Sequence, residues 1–171
     1  WLSADGRAKD VDARSGQLVD VLLRLSPEQA ASAVIVPLSL GYATELTHAI
    51  AATVEATGRG RTAETLAPDI RLVEVVLDRL KQAHVDPEAT LVLAVEGSLD
   101  PLTRADATAA AEALRLAWHG PVRIGSVAEA EASVAAAVDA ARIYGEEGQV
   151  AIASFLLWPG ARQRALGAAG A

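Results

Sequence analysis

At 171 residues the chain has the length of one ordinary domain, or of two small halves sharing a core. Its composition, 51% apolar and only 4% aromatic, excludes a disordered chain and an aromatic-rich binding surface. A net charge of −7 argues against nucleic acid as a partner, because phosphate binding needs a basic face.

Residues 1–14 are polar and weakly patterned, with at most a short strand expected. Ser15 is placed to cap a helix whose apolar positions Leu18, Val21, Leu22 and Leu25 recur at helical spacing. Ser26-Pro27-Glu28 is a second helix start. Ala33 to Leu38 is a continuous apolar run of strand length, as expected of a strand covered on both faces. It breaks at the Gly41 turn into a predicted helix from Ala43 to Thr57, and Gly58-Arg59-Gly60 closes that helix before a short extended piece over 61–66.

Asp69 caps an amphipathic helix carrying Ile70, Val73, Val76, Leu77 and Leu80 on one stripe, closed by Val85-Asp86-Pro87. Thr90–Val95 is the next buried strand, followed by the loop Glu96–Pro101. A helix over 105–118, a strand over 121–126, a helix over 128–144 and a strand over 149–157 complete the order. Strands alternating with helices of this length predict an α/β fold of mostly parallel sheets with flanking helices and right-handed crossovers.

Without cysteine there is no disulfide, thiolate nucleophile or cysteine zinc site. The longest apolar run, Val150 to Pro159, is far short of the roughly 20 residues a bilayer requires, so no membrane is expected and the expected location is the cytoplasm. No organic cofactor is expected either, since neither a G-x-G-x-x-G nor a G-x-x-x-x-G-K-[ST] motif occurs. A serine nucleophile elbow is absent too. His84 and His119 stand at predicted helix C-termini, where the helix dipole suffices to explain them. Arginine outnumbers lysine 13 to 2, so arginines gathered at a pocket could hold a carboxylate-rich ligand despite the acidic total.

The segments AVIVPLSLG, from Ala33, and QVAIASFLLWPG, from Gln149, are both apolar strands ending at a glycine turn. Their offset of about 115–120 residues suits a duplicated half-domain. Two halves are therefore expected, 1–88 and 89–171. Projecting the second onto the first places the counterpart of TLVLAV about 20 residues before Trp1, so the first half is expected to lack its opening strand and loop.

The succession VIVPLSLGY, LAPDIRLVEVVLDRL, LVLAVEGSLDP and VAIASFLLWPGARQR resembles the sirohydrochlorin chelatase family, the class II tetrapyrrole metal chelatases. The likeness runs from about Ser15 to Leu166. It implies flavodoxin-like halves, duplicated, with an open cleft between them. It also implies a tetrapyrrole as small-molecule partner and a divalent metal as substrate: cobalt, iron or nickel, inserted on the way to cobalamin or sirohaem. Such insertion needs a neutral imidazole or a carboxylate to hold the metal and help accept two pyrrole protons.

The family places one histidine after the first strand of its active half, and another after a Gly-Tyr, with an acid four residues on. Here Gly41-Tyr42 matches, but Ala43 stands at the histidine position and Thr47 at the acidic one. His48 follows five residues later, about 500° around a helix, so it does not replace Ala43 on the same face. The metal candidates are Glu45, His48 and Glu96, with Glu96 the candidate catalytic group because Glu96-Gly97-Ser98 stands where a His-Gly-Ser loop is expected. Gly41, Tyr42, Ser98, Trp158 and Arg162 are the candidate substrate contacts: Trp158 to stack on a flat ring, Arg162 to bind a carboxylate, Ser98 to bind an anion. The departures at Ala43 and Thr47 keep a second expectation in view, a non-catalytic paralogue that binds a tetrapyrrole or a protein. An unrelated small-molecule enzyme on the same fold is a third.

Overall fold

A computed structural model of the chain describes residues 8–40, 44–96, 101–128, 131, 133–143, 148–157 and 160–169. The chain divides into two compact units, Trp1–Leu66 and Ala67–Ala171. Each is an α/β arrangement with parallel strands.

The first unit contains α1 (Ala8–Arg24), α2 (Pro27–Ser32), β1 (Val34–Ile35), α3 (Thr44–Thr57) and β2 (Arg61–Thr62). The first helix already covers Ala8, ahead of the expected Ser15 cap; residues 8–14 contain no proline or glycine to interrupt it. It packs against α3, with Leu22, Leu46 and Ile50 buried. Arg59 closes its C-terminal end, donating from Nη1 to the carbonyl of Leu22 at 3.2 Å, which also accepts from the Leu25 amide at 3.3 Å, and to that of Leu25 at 2.6 Å. At the start of α2 the Ser26 hydroxyl accepts from the Gln29 amide at 3.2 Å, and the Gln29 side chain accepts from the Ser26 amide at 2.9 Å.

β1 and β2 pair in parallel, Val34 with Arg61 and Ile35 with Thr62. The expected strand over 33–38 is thus only two residues long, and the cause is Pro37. The ladder runs Arg61 N–H to Ala33 O and Ala63 N–H to Ile35 O. Its next bond would come from the amide of residue 37, and proline has none. Nor is the run covered on both faces: Val34, Val36 and Leu38 are 41%, 49% and 38% exposed, while Pro37 between them is buried. Gly60 (φ +76°) lets β2 approach β1, since a Cβ there would lie 2.8 Å from Ile35 Cδ1 and 3.3 Å from Ala33 O.

The second unit contains α4 (Ile70–Gln82), β3 (Thr90–Val95), α5 (Pro101–Ala117), β4 (Val122–Ser126), α6 (Val134–Ile143), β5 (Val150–Phe155) and α7 (Ala161–Ala169). α4 packs toward α5 and β5 through Val73, Val76 and Leu80, whereas Ile70 at its start is exposed. The compact division therefore precedes α4. α5 starts at Pro101 rather than 105, because proline at the first helical position forfeits no intrahelical bond. α6 starts at Val134 rather than 128: the Ser133 hydroxyl accepts from the Ala136 amide at 3.1 Å and caps the helix there.

The three strands are parallel, in the order β4-β3-β5. All six residues of central β3 are buried, as its uninterrupted apolar run requires. Val92 and Ala94 point to one face and form a core with Val134 and Val138 of α6 and Leu166 of α7. By alternation Leu91 and Leu93 point to the other face, where right-handed crossover puts α5. α6 lies tight on β4: a Cβ at Gly125 would sit 2.6 Å from Val134 Cα.

Candidate functional site

The connection out of β3 leads to α5 on one face of the sheet. The connection out of the adjacent β5 leads to α7 on the opposite face, where Leu166 joins the α6 core. Neighbouring strands whose chains leave to opposite faces define a topological switch point. Open α/β sheets bind ligands beyond the carboxyl ends of the strands at such a point. In this unit the switch point lies between the ends of β3 and β5.

Glu96 is the first residue past β3. Val95 is in register with Phe155, and its carbonyl accepts from the Val127 amide at 3.0 Å, so the Glu96 backbone emerges between Val127 and Leu156. Its side chain is half-buried, as are Leu156 and Leu157, the first residues past β5; Leu156 packs against the α6–α7 core. A carboxylate at this edge can hold a cation or take a proton. Arg162 stands in the first turn of α7, which starts at this same carboxyl edge; its side chain lies outside the described residues, as does that of Glu45 in α3. Gly41, Tyr42, Ala43, Ser98 and Trp158 lie outside them entirely. His48 is exposed on α3 and belongs to the first unit, Glu96 to the second. Among the described residues no group of three or more His, Cys, Asp or Glu side chains forms a metal cluster, and no helix is long and apolar enough to cross a membrane.

Ser126 is a residue that sequence reasoning passed over. It ends β4 at the same carboxyl edge, is 1% exposed, and its hydroxyl accepts from the Ala128 amide at 3.0 Å. The available signal was its place after Gly125, at the end of a short apolar strand.

At the opposite edge, a surface cleft of about 540 Å³ is lined by Arg115, Trp118, His119 and residues 120–123. Trp118 is anchored there by Nε1, which donates to Ala89 O at 2.8 Å. Two arginines line this cleft, Arg115 from α5 and Arg123 from β4. His119 pairs through Nδ1 with exposed Glu88 at 3.4 Å. His84 has a backbone role beyond the dipole expected of it: at φ 54° it takes the left-handed position that ends α4, its N–H bonding to Lys81 O and that of Val85 to Leu80 O.

Scanned against protein-family models and against curated proteins, the sequence matches none. In structure it is similar to SirB from Bacillus subtilis with Fe3+, with a TM-score of 0.64 and 16% identity over 98% of this chain and 78% of that one. At that identity the likeness is one of fold. The chain has a chelatase-like α/β fold of parallel sheets flanked by helices.

Proposed function

We propose that the chain is a sirohydrochlorin-type tetrapyrrole metal chelatase that uses the switch point of the second unit, with Glu96 as its working carboxylate. The observation carrying this reading is the chelatase-like fold, matched across 98% of the chain, together with Glu96 emerging at the carboxyl edge. Insertion exchanges two pyrrole protons for a divalent cation. A carboxylate offers a cation ligand and a proton acceptor in one group. Ser98, Trp158 and Arg162 are the proposed macrocycle contacts in this unit, and the Gly41-Tyr42 turn is a separate proposed contact in the first. The metal is substrate: cobalt, iron or nickel, and Fe3+ accompanies SirB.

A second reading has its own observation. Ala43 and Thr47 occupy the positions where the family carries histidine and an acid. They favour a paralogue that binds the macrocycle, or a protein, without inserting metal.

The test is an anaerobic mixture of the protein, sirohydrochlorin and cobalt(II), followed by the macrocycle's visible spectrum against a protein-free control. Insertion faster than the control, lowered about 10²-fold or more in Glu96→Gln, is expected if Glu96 is the acid–base group. A shifted spectrum without insertion identifies the binding paralogue. An unchanged spectrum removes the tetrapyrrole assignment altogether.

A further inference from the structure

A strand at the edge of a sheet presents unpaired N–H and C=O groups, on which a strand of another chain can build. β4 is such an edge in the order β4-β3-β5. Its hydrogen-bond phase is fixed at both ends: Leu91 N–H donates to Pro121 O at 2.8 Å, and Val127 N–H donates to Val95 O at 3.0 Å. With Leu91 in register with Val122, the backbone groups of residues 121, 123, 125 and 127 face β3, and those of Val122, Ile124 and Ser126 face outward.

Two of these three outward positions are occupied. Arg115 donates to the Val122 carbonyl from both Nε, at 3.2 Å, and Nη2, at 2.8 Å. Ser126 forms an isolated parallel bridge with Ser133. Among the described residues this leaves Ile124 and the Val122 N–H between them, too short a ladder for an incoming strand. We infer that Arg115 guards the β4 edge, keeping a second copy of this chain from extending the sheet there. The residue type suits the task. Both donors of one planar fork reach a single carbonyl, and the side chain is exposed, so its charge stays solvated at the edge an intruding strand would have to desolvate. The Trp118 indole, bonded to Ala89 O at 2.8 Å, fixes the end of α5 from which Arg115 reaches.

Sedimentation over a range of concentrations tests this with Arg115→Ala, Arg115→Lys and Arg115→Ala/Ile124→Pro beside the unaltered chain. The expected result is self-association at least about tenfold tighter in Arg115→Ala, equivalent to one or two net hydrogen bonds. Arg115→Lys, which keeps a charge but not the two-donor fork, should fall between Arg115→Ala and the unaltered chain. Proline at 124 removes an outward N–H without breaking a bond to β3, so it should abolish the gain. Amide exchange gives an independent readout: in Arg115→Ala the Ile124 N–H should gain protection as concentration rises. Equal association of Arg115→Ala and the unaltered chain, with native circular dichroism, overturns the inference. So does association that survives Ile124→Pro, or that leaves Ile124 exchange unchanged.

Discussion

β1 and β3 start from similar sequence and end in different structure. AVIVPL and TLVLAV are apolar runs of equal length. The second became a central strand with every residue buried, the first a two-residue ladder with one face exposed. An apolar run states that both faces of a strand can be covered, not that they are. β3 has a strand on each side and helices on both faces. β1 has β2 as its ladder partner, and Pro37 withholds the donor that would extend that ladder.

The largest expected effect follows from burial. Leu93→Ala, at a site 0% exposed, should lower the opening free energy of β3 amides by about 2–5 kcal/mol. Ile35→Ala, half-buried in β1, should lower that of the β1–β2 pair by about 1 kcal/mol. Hydrogen exchange reads each unit separately, which matters because two units need not unfold in one transition. Equal losses at the two sites would erase the contrast between the strands.

A smaller effect tests its cause. Pro37→Val supplies the missing N–H opposite Ala63 O, and the new bond should protect the residue 37 amide about tenfold over its neighbours at Val36 and Leu38. Net stability should change little, because the gain is offset by about 0.4–1 kcal/mol of lost proline rigidity in the unfolded chain. Exchange of that amide at the rate of an unstructured chain would mean that something other than the proline ends the ladder.

The same contrast marks what the sequence made legible. The alternation of strands and helices, the Asp69 and Ser26 caps and the covered run Thr90–Val95 were readable because each is a local pattern with a local cause. The helical turn at Ala8 and the helix start at Val134 were not, since a mostly polar turn shows no stripe in the sequence and a serine cap competes silently with helix-forming neighbours. Of the site, Glu96 was legible as the residue after a strand. The switch point was not, because it depends on strand order β4-β3-β5, and order follows from which faces find partners in space. Arg115 was unreadable for the same reason: its partner, the Val122 carbonyl, carries no side-chain signal.

The smallest expected effect concerns α4, which packing assigns to the second unit. The Arg71 guanidinium, bonded to the Asp69 carboxylate, holds the Asp69 pKa at about 2, with help from the Arg71 amide, against an ordinary value of 3.8. A depressed folded pKa stabilises wherever the unfolded carboxyl is already ionised. The contribution is therefore complete above about 3.8, shrinks as pH falls, and is gone once pH passes below about 2. The group is exposed and salt screens it, so the change in melting temperature should be slight and smaller still at high ionic strength. Arg71→Ala should return the Asp69 carboxyl, followed by its ¹³C shift against pH, toward 3.8. Asp69→Asn should flatten the acid slope of α4 amide protection while leaving the amides of β1 and β2 untouched. A matching loss in β1 and β2 would show that the two units share one unfolding transition, and the difference between their strands would then lie in local geometry alone.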